Sequence, residues 1–341
     1  GPLLSISGYG NHSRQVFRWL NEKPDVAIAA QILPWGITPW HIDPDALDGL
    51  AGTIMEASAS PDDLSYDMSF QIQLPNEWDS NLANIAKHLK WIHCIGAGVE
   101  HLLPLDWLPD SVALTNNKGI HAKKAGEYGL MAILMMHNHF PKMLTNQKNK
   151  LYKSIYSTPI AGQTIVILGT GNLGGSVAQL LEPLGANVIG VNRQGNSVKG
   201  CTKIATFDKL DGILPQADIL YISLPETPET INIIDRRRLS LLKQSCGVIN
   251  VGRQSAVDYD ALSEMLESKK LAGAILDVFS PEPIALNSNL WTVPNLIISP
   301  HVSADDGVNY VPQTLQFFFR NLECFLSGKP LLNLVNKDLG Y

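Results

Sequence analysis

The sequence predicts an α/β protein in which helices cover both faces of doubly wound parallel sheets. Short runs of branched apolar residues alternate with helical periodicity through the second half of the chain, which is typical of buried parallel strands. A glycine-rich turn follows one of these runs. The length of 341 residues indicates about two domains.

The strongest motif is the segment that contains this turn. Residues 165–168 form an apolar run, residues 169–174 read Gly-Thr-Gly-Asn-Leu-Gly, and helical periodicity leads to a second apolar run at Asn187–Val191. In a strand–turn–helix–strand unit, such glycines permit a tight turn, close approach of a pyrophosphate, and packing of helix on strand. The residues predicted to bind a dinucleotide here are Gly169, Gly171, Asn172, Leu173 and Gly174. The alternative is an ordinary turn between a strand and a helix.

The end of the second apolar run indicates which dinucleotide is preferred. A site for NAD usually has an acidic residue about 20 positions after the glycines, where it binds the ribose 2′-hydroxyl. Here the sequence has Asn192 and Arg193 and no acid. A guanidinium pairs with a 2′-phosphate, whereas a carboxylate repels it. We therefore expect NADP(H), with Arg193 as the main phosphate ligand and Asn192 beside it. The alternative is a solvated Arg193 and use of NAD(H) as well.

Composition argues against several classes of partner. The formal charge of −6, without basic blocks, does not favour nucleic acid. No apolar run approaches the ~18 residues of a membrane span, and no secretory signal is recognisable, so a cytoplasmic protein is expected. The 4 cysteines are scattered, which indicates reduced thiols. His137 and His139 are two positions apart and would point away from each other on a helix, so no metal site is expected.

The first part of the chain is predicted to form a small α/β domain. Its predicted strands are residues 3–7, 25–33, 90–95 and 112–116, and its predicted helix is residues 12–21. A glycine-rich bend at residues 96–101 follows the third of these strands. Its backbone amides suit a carboxylate, although a plain tight turn fits equally well. The sequence assigns no clear role to Trp35, Trp40 and Trp78, or to residues 57–80.

The remaining elements complete a two-domain prediction. A long helix is expected at residues 122–140, ended or kinked by Pro141. Further strands are predicted at residues 218–223, 247–250, 273–277 and 296–299, and further helices at 236–242 (capped by Asp235), 258–267 and 315–326. With the two strands beside the glycines this makes six strands, with expected order 3-2-1-4-5-6. The last helix is expected to return to the first domain, so the predicted domains are residues 3–118 plus 306–341 and residues 119–305.

Polar side chains follow three successive predicted strands of the larger domain. Arg253 follows residues 247–250, Glu282 follows 273–277, and His301 follows 296–299. The carboxyl ends of parallel strands lie on one edge of the sheet, which is where open α/β folds bind ligands. Histidine is suited to proton transfer near neutrality, a carboxylate can fix its tautomer, and a guanidinium can hold a substrate carboxylate or carbonyl oxygen. Separately, the three residues have ordinary explanations as a surface ion pair, a solvated acid and a turn histidine.

Five segments, in their order and spacing, carry a family resemblance. They are GTGNLGGSVA (169–178), LPETPET (224–230), INVGRQSAVDYDAL (249–262), GAILDVFSPEP (273–283) and ISPHVSA (298–304). With these segments the chain resembles the D-isomer-specific 2-hydroxyacid dehydrogenases over essentially its whole length. The resemblance implies two Rossmann-like or flavodoxin-like domains with the active-site cleft between them.

The resemblance also implies roles for individual residues. Arg253, Glu282 and His301 would be catalytic, and the amides of Ala97, Gly98 and Val99 would bind the substrate carboxylate. Further cofactor contacts are implied for Leu224, Pro225, Val251 and Asp277, the last with the nicotinamide carboxamide. A homodimer built through the nucleotide domain is implied as well.

Finer features are most similar to the glyoxylate/hydroxypyruvate reductase branch, which prefers NADPH. They are the Asn192-Arg193 pair and the element at residues 288–291. The implied function is NADPH-dependent reduction of a small 2-oxo acid to the D-2-hydroxy acid by hydride transfer, with His301 as general acid. Gln254 replaces the usual small residue after the catalytic arginine, which leaves the substrate open. An NAD-linked dehydrogenase of another acid and an NAD(H)-binding corepressor-like interaction protein are the alternatives.

Overall fold

The structure is a computed structural model that describes residues 69–71, 89–99 and 102–337. Contacts divide the chain into two compact units, one made of Gly1–Lys118 and Val308–Tyr341 and the other of Gly119–Gly307. Several predicted features lie outside the described residues. They are the strands at residues 3–7 and 25–33, the helix at 12–21, most of 57–80, and Trp35, Trp40 and Trp78.

The first unit contains a parallel sheet of three short strands among the described residues. These are β1 (Ser69–Gln71), β2 (Trp91–Cys94) and β3 (Ala113–Thr115), in the order β1-β2-β3. All four side chains of β2 are buried, and the strand pairs with a neighbour on each side. The predicted strands at residues 90–95 and 112–116 are confirmed, and each is one residue shorter at each end.

The second unit is built on a parallel sheet of seven strands. The strands are β4 (Thr164–Leu168), β5 (Asn187–Val191), β6 (Lys203–Ala205), β7 (Ile219–Ile222), β8 (Gly247–Asn250), β9 (Gly273–Leu276) and β10 (Leu296–Ile298). They lie in the order β10-β9-β8-β7-β4-β5-β6. The central strands are almost continuously apolar and buried, because helices cover both faces of such a sheet.

The prediction of six strands was wrong by one. Strand β6 was missed because it has only three residues and lies at the sheet edge, where its side chains are exposed or half-buried. Its insertion makes the order 3-2-1-4-5-6-7 within this unit. The strand order therefore reverses between β4 and β7, and not between β4 and β8 as the six-strand prediction implied.

The helices of this unit are α1 (Ala122–His137), α2 (Phe140–Lys148), α3 (Asn172–Leu181), α4 (Leu210–Ile213), α5 (Arg236–Leu239) and α6 (Tyr259–Glu267). The single helix predicted at residues 122–140 is in fact two. The helical conformation is interrupted at His139, whose φ of 60° is left-handed. Pro141 then lies in the first turn of α2, where its missing N–H removes no hydrogen bond of the helix.

Side-chain caps set the start of two helices, as the sequence predicted for the first. The carboxylate of Asp235 accepts a hydrogen bond of 2.8 Å from the backbone N–H of Arg238, so α5 begins at Arg236. Helix α5 is shorter than the predicted 236–242. Asp258 caps α6 in the same way through the N–H of Ala261. Each cap satisfies a donor that has no partner inside its helix.

The carboxyl-terminal helix α7 (Tyr310–Leu326) belongs to the first unit. Phe318 of this helix stacks on Trp91 of β2 with ring centroids 5.3 Å apart, and Asn117 Nδ2 donates a 2.9 Å hydrogen bond to Thr314. The helix begins five residues before the predicted 315–326. None of the helices in the described part of the chain is long and apolar enough to cross a membrane.

Candidate functional site

The glycine-rich turn lies between β4 and α3 and has the geometry that its sequence predicts. Gly169 has φ +87°, a conformation that side chains disfavour, and its N–H donates to Val191 at 2.9 Å. A Cβ added at Gly174 would lie 2.0 Å from the carbonyl oxygen of Gly169, so only glycine allows α3 to start this close to the turn. The first amides of α3, from Asn172 onward, have no partner inside the helix.

Arg193 and Asn192 lie just past the carboxyl end of β5. The guanidinium of Arg193 forms an ion pair of 2.8 Å with Glu229, a residue of the loop that follows β7. The side-chain amide of Asn192 donates to Thr170 Oγ1 at 2.9 Å and so ties the end of β5 to the glycine-rich turn. The guanidinium is thus held beside the turn at the carboxyl edge of the sheet.

The loops after β7 and β8 pack tightly on each other. Leu224 is buried and Pro225 is exposed, and a Cβ added at Gly252 would lie 2.5 Å from the carbonyl oxygen of Leu224. Buried Asn250 shapes the second loop, because its side chain accepts from the N–H of Gly252 and donates to the carbonyl of Arg253, at 3.1 and 3.0 Å.

The same loop carries Val251, which is buried, and Arg253, which is half-buried. The N–H of Val251 donates to Ile222 at 2.9 Å, which extends the pairing of β7 and β8 by one residue. The backbone of Arg253 is extended, and its guanidinium donates to the carbonyl of Gly252 at 2.9 Å. Arg253 therefore emerges at the carboxyl end of β8, next to the loop that contains Leu224.

Glu282 and His301 are joined directly by a hydrogen bond. Nδ1 of His301 lies 2.8 Å from Oε2 of Glu282, and Oε1 of Glu282 accepts the N–H of Phe279 at 2.7 Å. An ionised carboxylate only accepts hydrogen bonds, so Nδ1 of the histidine carries a proton. In the neutral tautomer the other ring nitrogen, Nε2, is then unprotonated and can accept a proton. In the imidazolium, Nε2 carries a proton and can donate it.

Asp277 anchors the turn on which His301 lies. Its side chain is fully buried, and its carboxylate accepts the N–H groups of Val302 and Ser303 at 3.0 and 2.9 Å and the hydroxyl of Ser299 at 2.6 Å. These donors flank His301, whose φ is +54°. A left-handed non-glycine residue persists when its surroundings determine it, and here the carboxylate binds the Ser299 hydroxyl before His301 and two backbone N–H groups after it.

Tyr128 of α1 extends this network. Its hydroxyl lies 2.5 Å from Ser299 Oγ, and because Ser299 donates its only proton to Asp277, Tyr128 is the donor to Ser299. Burial raises the pKa of the Tyr128 phenol above its ordinary value. The phenol therefore remains protonated near neutral pH and keeps its role as donor.

The glycine-rich bend of the first unit is held from one side by polar side chains. Buried Asn117 donates to the carbonyl of Ile95 at 2.6 Å, and Tyr310 donates to the same oxygen at 2.8 Å. Asn116 donates to the carbonyl of Ala97 at 2.9 Å. Gly98 is half-buried and Val99 is fully buried. The peptide planes from Ile95 to Ala97 are therefore fixed through their carbonyl groups.

Sequence reasoning missed Asn250, Ser299, Tyr128 and Glu229. Ser299, Tyr128 and Glu229 act through partners that are distant in sequence, so no local pattern marks them. A polar residue at the end of an otherwise apolar strand, such as Asn250, is the one signal that could have been used. Among residues 69–71, 89–99 and 102–337, no group of three His, Cys, Asp or Glu side chains could hold a metal ion.

Comparison with known proteins identifies the family. Residues 130–303, just over half of the chain, match the family description "D-isomer specific 2-hydroxyacid dehydrogenase, NAD binding domain". The chain belongs to this family, and it is an oxidoreductase of the D-2-hydroxyacid dehydrogenase type with a domain that binds a nicotinamide dinucleotide.

Individual relatives agree with this assignment. Glyoxylate/hydroxypyruvate reductase A of Enterobacter sp. (strain 638) is 29% identical over 262 residues, which is 75% of this chain and 83% of the relative. A D-isomer specific 2-hydroxyacid dehydrogenase from Xanthobacter autotrophicus Py2, solved with NADPH and MES, superposes with a TM-score of 0.78 at 25% identity, covering 99% of this chain and 98% of that one.

A third relative is an NADPH-dependent reductase. The glyoxylate/hydroxypyruvate reductase of Sinorhizobium meliloti, solved with NADP and sulfate, is 29% identical with a TM-score of 0.70, covering 80% of this chain and 86% of that one. The α/β fold with parallel sheets, predicted from the sequence, is thereby confirmed.

The residues of this chain fit a dinucleotide at the glycine-rich turn. A Cβ added at Gly171 would meet none of the described atoms within 4 Å, so the backbone there borders open space. The glycine is exposed and immediately precedes α3, whose amino terminus carries partial positive charge. Backbone amides, a helix terminus and open space are what a diphosphate needs.

Proposed function

We propose that this protein is an NADPH-dependent reductase that converts a small 2-oxo acid, such as glyoxylate or hydroxypyruvate, to the D-2-hydroxy acid. The observation that carries the proposal is the hydrogen bond of 2.8 Å between His301 and Glu282 at the carboxyl edge of the sheet that also holds the glycine-rich turn. A bound nicotinamide cofactor supplies the hydride. The residues of the chain bind the acid and move the proton.

His301 is the proposed general acid. Reduction of a carbonyl leaves an alkoxide oxygen that needs a proton, and Nε2 of the imidazolium can donate it. Glu282 holds Nδ1–H and balances the imidazolium charge, while its second oxygen is fixed by the N–H of Phe279. Asp277, through Val302 and Ser303, keeps the turn of His301 in place. The proton donor is thus preorganised by two carboxylates with different tasks.

Substrate binding is assigned to the guanidinium of Arg253 and to the backbone amides of Ala97, Gly98 and Val99. A planar guanidinium can hold a carboxylate or a carbonyl oxygen through two parallel hydrogen bonds. On this proposal, residues 119–307 form the nucleotide-binding unit, and the unit that contains Ala97 binds the substrate. A carbonyl held by Arg253 becomes more electrophilic as well as better oriented.

Cofactor binding is assigned to the glycine-rich turn, Leu224, Pro225, Val251 and Asp277, with Arg193 and Asn192 at the 2′-phosphate. Support for NADP(H) comes from Arg193 at the end of β5 and from the relatives solved with NADPH or NADP. Asp277 is buried and accepts three hydrogen bonds that hold the His301 turn. A hydrogen bond to the nicotinamide carboxamide would be a second role of the same residue.

A homodimer is also part of the proposal. Its support is a series of exposed apolar side chains on α1, α2 and the segment that follows, which are Met131, Phe140, Met143, Leu144, Leu151, Tyr152 and Tyr156. Tyr152 is fully exposed. An apolar surface of this kind is typical of a contact with another protein chain.

The test is a measurement of NADPH and NADH oxidation with glyoxylate, hydroxypyruvate and pyruvate as acceptors. We expect turnover with glyoxylate or hydroxypyruvate, and a higher kcat/KM with NADPH. Turnover with NADH alone would contradict the assignment of Arg193. Tight nucleotide binding without turnover on a wide panel of 2-oxo acids would contradict the reductase proposal and favour a binding role.

A further inference from the structure

The ion pair between Arg193 and Glu229 brings an acid to a place where the sequence has none. Nη2 of Arg193 lies 2.8 Å from Oε2 of Glu229, and the two side chains are 34% and 62% exposed. The residue next to Arg193 at the end of β5 is Asn192, which is not an acid. The carboxylate comes instead from the loop at residues 223–230, which follows β7.

The order of the strands shows where the Arg193–Glu229 ion pair lies in the sheet. Strands β5 and β7 are the two neighbours of β4, so their carboxyl ends lie roughly 10 Å apart, which is twice the spacing of adjacent strands. The Arg193–Glu229 pair joins these two loops, which follow the strands on either side of the carboxyl end of β4. The glycine-rich turn begins at that end of β4. The Arg193–Glu229 pair therefore lies beside the turn that we assign to the dinucleotide.

The two charges of the pair have opposite preferences for the adenosine ribose. A guanidinium favours a 2′-phosphate, whereas a carboxylate repels it and accepts a hydrogen bond from a free 2′-hydroxyl. Glu229 also occupies one edge of the Arg193 guanidinium, which a 2′-phosphate would otherwise use. The pair thus contains one group suited to NADP(H) and one suited to NAD(H).

We propose that Glu229 is a specificity-determining residue that limits the preference of this protein for NADP(H) over NAD(H). It supplies, from the loop after β7, the carboxylate that is missing at the end of β5. It weakens binding of the 2′-phosphate to Arg193 and strengthens binding of an unphosphorylated ribose. This inference rests on the proposed function, because it requires a dinucleotide at this edge of the sheet.

The experiment measures dissociation constants for NADP⁺ and NAD⁺ by titration calorimetry on the full chain, for the wild type and for Glu229→Gln. Removal of one exposed charge near a doubly charged phosphate is expected to tighten NADP⁺ binding by roughly 3–10-fold. Loss of a charged acceptor for the hydroxyl is expected to weaken NAD⁺ binding by roughly 2–5-fold. The ratio of the two constants therefore shifts by roughly 6–50-fold towards NADP⁺.

Two further variants isolate the cause. Glu229→Asp keeps the charge and should leave the ratio within about 3-fold of the wild type. Glu264→Gln removes the carboxylate of another exposed pair, with Arg236, and changes the net charge equally. It should not alter the ratio. The shift in Glu229→Gln should also shrink as salt concentration rises, because exposed charges are screened.

The outcomes separate this inference from the proposed function. If the wild type prefers NADP⁺ but Glu229→Gln has the wild-type ratio, Glu229 has no role in specificity and the proposed function stands. The same conclusion follows if Glu264→Gln shifts the ratio as much as Glu229→Gln does. If the wild type prefers NAD⁺ and Glu229→Gln loses that preference, the NADPH preference fails and the role of Glu229 is upheld.

Discussion

The imidazole of His301 and the carboxylate of Glu282 are 2.8 Å apart, although nineteen positions separate them in the chain. Each follows a different strand, β10 and β9, and these strands are neighbours in the sheet. The pairing is therefore a consequence of sheet order. It defines one ring nitrogen of the histidine as a donor to Glu282 and leaves the other for the proton transfer that we propose.

Replacement of His301 by alanine should lower kcat by roughly 10²–10⁴-fold, because the alkoxide loses its proton donor. Dinucleotide affinity should be unchanged, since the imidazole is not among the proposed cofactor ligands. Steady-state kinetics and calorimetry measure the two quantities. His137→Ala, at a half-buried histidine of α1, is the matched control and should keep wild-type kcat. A variant of His301 that retained full turnover would remove this residue from the mechanism.

Glu282→Gln should lower kcat by roughly 10²-fold while KM changes little. The amide keeps the size of the side chain but cannot balance an imidazolium charge, and its NH₂ group would face either Nδ1–H or the N–H of Phe279. Glu267→Gln, on the exposed face of α6, is the control for loss of one negative charge. Equal kcat in the two variants would show that the hydrogen bond to His301 has no catalytic consequence.

Alanine at Gly174 and alanine at Gly171 should have different effects. A Cβ at Gly174 clashes with the carbonyl of Gly169, so Gly174→Ala should destabilise the unbound protein by about 1–3 kcal/mol. A Cβ at Gly171 meets no described atom within 4 Å, so Gly171→Ala should keep the wild-type Tm and lose dinucleotide affinity. Thermal unfolding and calorimetry separate the two effects. Wild-type NADP⁺ affinity in Gly171→Ala would contradict the proposed path of the diphosphate.

Asp277→Asn should lower both stability and kcat. A buried carboxylate that accepts three hydrogen bonds would be replaced by an amide whose NH₂ faces another donor, at a cost of about 2–4 kcal/mol. Tyr128→Phe removes only the outer hydrogen bond of this network and should cost about 1 kcal/mol. Denaturant unfolding and single-turnover rates test both variants. Equal losses in both would contradict the idea that Asp277 is the anchor of the His301 turn.

The proposed homodimer predicts that Tyr152→Glu shifts the protein towards monomer. Tyr152 is fully exposed in the single chain, so a charge there should leave the fold intact and affect only a contact with a partner chain. Light scattering after size exclusion measures the mass, and circular dichroism controls for folding. Leu286→Glu, another almost fully exposed apolar position, is the control and should keep the mass of the wild type. A monomeric wild type would overturn the proposal directly.

Much of the second unit could be predicted from local patterns. Strands β4, β5, β8 and β9 each contain three or four consecutive apolar residues, glycine included, and short apolar runs bounded by turn residues are typical of buried parallel strands. Strand β6 was missed because three residues at a sheet edge carry no periodicity. Helix α2 was missed because the interruption at His139 depends on a left-handed backbone conformation that the local sequence does not indicate.

The sequence by itself determined the kind of fold, the glycine-rich turn and the types of residue at the carboxyl edge of the sheet. These follow from local chemistry, such as the clash that a side chain at Gly174 would make. Only the tertiary structure decided which charges meet. The loops after β5 and β7 place Arg193 against Glu229, and those after β9 and β10 place Glu282 against His301. Such pairs depend on which strands become neighbours, and that is a property of the whole sheet.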